Sequence, residues 1–162
     1  MGYYGFSEED AYKAVEYYRE YFRPNGLYEN EMYDGIPQLL ESIKSSGRKI
    51  ILATSKPEVF AKEILRHFSL DKYFDFVAGA TLDKTRNAKA DVIAYALAEC
   101  GITDKSQCLM IGDRHHDIHG AAANGLDSVG VLFGYGDRAE HEIAGADAIA
   151  EGVDALRKLL LK

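Results

Sequence analysis

Met110-Ile111-Gly112-Asp113-Arg114-His115-His116-Asp117 sets the architecture of this chain. Cys108 to Ile111 is short, apolar and bounded by a glycine, the pattern of a buried strand. Gly112 makes the turn, and Asp113 then stands just past the strand's carboxyl end, where open parallel α/β sheets bind ligands. Asp117 follows where the next helix begins, so both carboxylates can face one cation. A hard ion such as Mg²⁺ takes one or two carboxylates, some water and substrate phosphate oxygens. The plainer alternative is a surface turn with Asp117 as a helix cap. A Gly-Asp step closing a buried strand, with a second Asp four residues on, favours the ion.

Outward from this point the chain alternates short apolar strands with amphipathic helices. Helices are expected over Pro37 to Ser46, Pro57 to Phe68 and Ala90 to Cys100, through Ala121 to Ala123, near Ala139, and from Val153 at the C-terminus. Strands are expected over Lys49 to Ala53, Phe76 to Ala78, Cys108 to Ile111, Ser128 to Leu132 and Ala148 to Ala150. That alternation means βαβ units and a Rossmann-like parallel sheet with flanking helices. The first residues differ. Eight of the eleven tyrosines precede residue 34, and Ser7 caps a helix whose apolar stripe is Ala11, Ala14, Val15, Tyr18 and Phe22, stopped by Pro24-Asn25-Gly26. The division expected is therefore 1–28 and 29–162.

Thr54-Ser55-Lys56 ends the first clear strand, with Pro57 opening the next helix. A hydroxyl and backbone N–H groups at a helix N-terminus bind anions, and Lys56 adds charge; a capped helix is the commoner use of Thr or Ser before Pro. Lys89 opens a helix after the polar loop Thr81–Asn87 and can neutralise phosphate charge over the sheet end, with Arg86 a substitute in the same loop. A solvated lysine is the bland reading of any one such residue. His115, His116 and His119 lack a third and fourth N/S partner nearby and read as solvated side chains rather than a zinc site. Cys100 and Cys108 show no CxxC spacing and read as buried thiols of a reducing compartment, with cytoplasm the default.

Thr54-Ser55-Lys56-Pro57, then Lys89, then Gly112-Asp113-Arg114-x-x-Asp117 resemble, in order and spacing, the haloacid dehalogenase-like (HAD) hydrolases. The phosphoglycolate phosphatase and 5′-nucleotidase-like branch is the most similar, with Gly130-Val131-Leu132-Phe133-Gly134-Tyr135-Gly136 also typical of it. The resemblance implies that Thr54 hydrogen-bonds the transferring phosphoryl group and Lys89 stabilises its charge. It also implies that Asp113 and Asp117 hold Mg²⁺, that Ser55 and Lys56 line the phosphate pocket, and that the first helix is the tail of a helical cap. The substrate implied is a small phosphorylated metabolite, of the phosphoglycolate or nucleoside monophosphate class.

One departure is plain. The family's first strand ends Asp-x-Asp-Gly-Thr and carries the nucleophile, yet no Asp-x-Asp occurs in these 162 residues. The expectation is a HAD core lacking its first strand, with a remnant of the cap. In the family that strand lies between those ending at Thr54 and Ile111. The gap is then closed by direct re-pairing, by another chain (a homo-oligomer among the possibilities) or by a separate N-terminal fragment. A catalytically inactive remnant that binds Mg²⁺ and phosphate, or oligomerises, is the competing expectation.

Composition narrows the field further. A net charge of -7 argues against a nucleic-acid surface, which needs clustered Lys and Arg. No apolar run approaches the roughly 18 residues of a membrane span, and no GxGxxG or GxxxxGK[ST] loop is present.

Overall fold

The computed structural model describes residues 5–161. The chain divides into two compact units, 1–32 and 33–162. In the first, α1 (Glu8–Tyr21) is capped by Ser7, whose Oγ accepts the Asp10 N–H at 3.1 Å, with three acidic residues in the first turn. Its partly shielded face is Ala11, Val15, Arg19 and Phe22; Ala14 and Tyr18 of the expected stripe are exposed. Pro24 does not stop the winding outright. Phe22–Gly26 continues as a π-helical turn in which the Leu27 N–H reaches the Phe22 carbonyl at 2.8 Å. A proline has no N–H to give the preceding turn, and a wider turn accommodates that loss.

The second unit follows the expected alternation. Its helices are α2 (Ile36–Ser45), α3 (Glu58–His67), α4 (Lys89–Glu99), α5 (His115–Ala123), α6 (Arg138–Ala144) and α7 (Val153–Leu160). Its strands are β1 (Ile51–Pro57), β2 (Phe76–Ala80), β3 (Leu109–Gly112), β4 (Asp127–Val131) and β5 (Ala148–Ala150). All pairing is parallel, β1 with β2 and β3–β4–β5 in that order. Two apolar clusters serve the two sheets. Leu39 and Ile43 of α2 meet Val129, Val131, Ala150 and Leu156; Ala78, Val92 and Ala96 meet Ile51, Ala53 and Phe76.

Direct re-pairing does not occur. Among the described residues β1 pairs only with β2, and β3 only with β4. The sheets are linked instead by the helices above them. Gly120 of α5 lies so close to α4 that a Cβ there would fall 2.8 Å from Lys89 Cγ, and the Asn124 side chain donates to the Ala90 carbonyl at 3.0 Å. Outer-strand status also corrects the expected burial of β3. Leu109 and Ile111 are 44% and 36% exposed, because β3 is flanked on one side only. The two cysteines are likewise half-buried free thiols, not fully buried ones.

Candidate phosphate and metal site

Four segments distant in sequence meet at the carboxyl ends of β1 and β3. The first is the end of β1. Its pairing with β2 slips between Thr54 and Pro57, so Ser55 and Lys56 bulge out. Thr54 Oγ1 accepts the Lys56 N–H at 3.2 Å and closes the bulge. Pro57 is the cap residue of α3 rather than its first helical residue, and no side chain caps that helix. The hydroxyls before the proline are therefore not helix caps. Thr54 and Lys56 are half-buried, Ser55 is exposed, and burial holds the Lys56 ammonium below its ordinary 10.5.

Lys89 supplies the link. Its Nζ donates to the Ala53 carbonyl at 2.9 Å and pairs with Asp117 Oδ1 at 2.9 Å, with side-chain exposures of 13% and 9%. One cation thus ties the residue before Thr54 to the helix that follows β3. Arg86, the alternative, points elsewhere. Its guanidinium bonds Glu58 at 3.0 Å and the Gly79 carbonyl at 2.9 Å and lies 3.6 Å over the Tyr95 ring. The structure separates the two cations that the sequence left open.

The third segment is the turn after β3. Asp117 Oδ2 accepts the N–H groups of Asp113 and Arg114, both at 3.1 Å. Asp117 is buried, and its Cβ presses on Gly112, where a side chain would collide at 2.1 Å. The fourth is Phe133–Gly136. Tyr135 N–H donates to Asp113 Oδ2 at 2.9 Å, and Gly136 N–H to the Asp113 carbonyl at 2.8 Å. A Cβ at Gly134 or Gly136 would sit 2.3 Å from Asp113 atoms, so both must be glycine. The role of Gly134-x-Gly136 as a clamp on Asp113 emerges only in the fold.

Whether these residues fit Mg²⁺ follows from their free oxygens. Asp113 keeps Oδ1 without a hydrogen bond from any described residue. Asp117 is engaged on both oxygens by two N–H groups and an ammonium. No group of three or more His, Cys, Asp or Glu side chains that could hold a metal occurs among the described residues. The set suits an ion held by one or two carboxylates and completed by water and phosphate oxygens.

A support missed in sequence lies on α6. Glu140 Oε1 takes Arg114 Nε at 2.9 Å, the His115 N–H at 2.8 Å and His115 Nδ1 at 2.6 Å. These three bonds, the backbone one foremost, pull its carboxyl down to about 2. His115 is thus a bonded side chain rather than a solvated one, while His116 and His119 are exposed. His141, next along α6, is fully buried, with Nε2 3.2 Å from the Val131 carbonyl and its ring against Gly130.

The haloacid dehalogenase-like hydrolase profile matches residues 1–131, which include the β1 end, Lys89 and the β3 turn. The chain belongs to that family. It is 45% identical over 157 residues to a 5′-nucleotidase of Pseudomonas aeruginosa, covering 97% of this chain and 71% of the relative. It is 32% identical over 107 residues to a phosphoglycolate phosphatase of Colwellia psychrerythraea, covering 66% of this chain and 47% of that protein. The crystal structure of a predicted phosphatase from Clostridium acetobutylicum superposes with a TM-score of 0.94 at 47% identity, over 98% of this chain and 73% of that one. These relatives support a HAD-family phosphatase function and the α/β fold.

Proposed function

We propose that these residues form the phosphate- and Mg²⁺-binding part of a cytoplasmic HAD-type phosphatase that hydrolyses a small phosphomonoester. The observation that carries this reading is Lys89 Nζ touching both Ala53 O and Asp117, because it draws three separate segments together around one buried cation. Phosphoryl transfer depends chiefly on positioning and charge neutralisation. The Thr54 hydroxyl would donate to a phosphoryl oxygen, with Ser55 and Lys56 lining the pocket beside it. The ammonium groups of Lys89 and Lys56 would offset their charge. Asp113 would ligate the ion through Oδ1, while Asp117 fixes the Asp113 backbone and balances Lys89. A bound Mg²⁺ would supply Lewis-acid polarisation of the phosphoryl group.

The sequence offers no Asp-x-Asp nucleophile. We place that group on a strand pairing with the open edges of β1 and β3, contributed by a separate fragment or another chain that carries it. The competing reading, a remnant that binds without turnover, is favoured by the same missing residue. Turnover of p-nitrophenyl phosphate with Mg²⁺ distinguishes them. Hydrolysis that vanishes with EDTA and in Lys89→Met supports the phosphatase. Saturable phosphate binding with no hydrolysis and no trapped phosphoenzyme selects the remnant. Absence of phosphate binding overturns both.

A further inference from the structure

The loop that clamps Asp113 carries one side chain with no structural task. Phe133 is tied down: its ring meets Tyr33 edge-on at 5.6 Å and packs on the cluster of α2, β4, β5 and α7. Tyr135, two residues on, is 86% exposed and makes no ring contact or hydroxyl hydrogen bond among the described residues. Its backbone, by contrast, is fixed. The Tyr135 N–H lies 2.9 Å from Asp113 Oδ2, and the glycines on either side leave no room for movement toward Asp113. An aromatic ring is thus mounted on a rigid support one hydrogen bond from the proposed ion ligand, with its faces open to solvent.

Resting on the phosphatase reading above, we infer that Tyr135 is a subsite for the leaving group, stacking on a planar aromatic ring and selecting aryl or nucleoside phosphomonoesters over aliphatic ones. A phosphoryl group held between Lys89 and Asp113 would leave its leaving group to extend past the Asp113 clamp loop, whose exposed side chain is Tyr135. A purine offers a π-face to it; a two-carbon acid offers none. Stacking of a base on an aromatic side chain corresponds to roughly tenfold in affinity or more. Because the ring supports nothing else, its removal leaves the Tyr135 N–H and the Asp113 clamp in place.

The test is an NMR titration of the chain with Mg²⁺, using adenosine 5′-monophosphate, phosphoglycolate and inorganic phosphate as probes. Tyr135→Ala is expected to weaken adenosine 5′-monophosphate about tenfold and to leave the other two within twofold; Tyr135→Phe retains the nucleotide affinity. Equal weakening of all three probes by Tyr135→Ala overturns the inference, since it marks a purely structural residue. So does unchanged nucleotide binding in Tyr135→Ala. Both outcomes leave the phosphatase reading standing provided that inorganic phosphate still shifts the amides of Thr54 to Lys56. If it shifts none of them in the wild-type chain, the phosphatase reading itself falls, and the leaving-group subsite with it.

Discussion

Arg86 and Lys89 are three residues apart, and both are long cations leaving the same loop for the same end of the sheet. Arg86 is held within one sheet: Glu58 and Gly79 bracket it, and Tyr95 lies beneath. Lys89 crosses between the two sheets, from Ala53 to Asp117. The contrast shows that a cation's use is set by what it reaches. Arginine's planar fork suits a carboxylate, a carbonyl and a ring together, whereas the lysine ammonium is a point charge suited to a gap between two oxygens.

The largest effect expected is on Lys89. Lys89→Ala leaves the buried Asp117 without its cation and the Ala53 carbonyl without its donor. Breaking such a pair by removing one partner destabilises by about 3–5 kcal/mol. Arg86→Ala, at a more exposed pair with a ring contact, is expected to cost about 1 kcal/mol. Urea unfolding checks the order, and phosphate titration checks the function: binding is lost in the first variant and kept in the second. Equal losses would break the comparison.

A smaller effect tests the support of Asp113. Gly134→Ala forces a Cβ to within 2.3 Å of Asp113, and such overpacking costs about 1–3 kcal/mol. Gly152→Ala meets nothing within 4 Å and is expected to stay within about 0.5 kcal/mol. Differential scanning calorimetry of the two variants reads the difference. A Gly134→Ala melt matching that of Gly152→Ala would show that the loop yields.

The smallest effect lies at Glu140. Its folded carboxyl sits near 2, below its ordinary 4.5, so folding favours the ionised form. The resulting stability is fully present above about pH 4.5 and is lost as pH falls through about 2. The gap in melting temperature between wild type and Glu140→Gln should therefore be widest near pH 6 and narrow steadily towards pH 2. A gap that does not change with pH would remove Arg114 and His115 as its cause.

Much of the fold was legible because it rests on local patterns. The strand ends at Ala53, Ala78 and Ile111 are marked by apolar runs and punctuation, and boundaries moved by only a few residues. The Ser7 cap and the acidic first turn of α1 were visible for the same reason. The positions of the proposed site residues were legible, since Thr54, Lys89, Asp113 and Asp117 stand at strand ends and helix starts. Their division of labour was not. Asp117 faces N–H groups and Lys89 as much as any ion, and Glu140, 26 residues beyond Arg114, carried no signal of its partnership. The burial expected for Leu109 and Ile111 failed because exposure depends on a strand's neighbours, and sequence periodicity does not contain them.

The amino-acid order alone set the alternation of strands and helices, the polar turns at their ends and the family to which they belong, because those follow from contacts between residues close along the chain. Tertiary structure decided which cation spans the two sheets, which carboxylate keeps a free oxygen, and that Gly134 and Gly136 grip Asp113. These are distances between atoms brought together only by packing, and a hydrogen bond or a steric clash changes sign over less than an ångström.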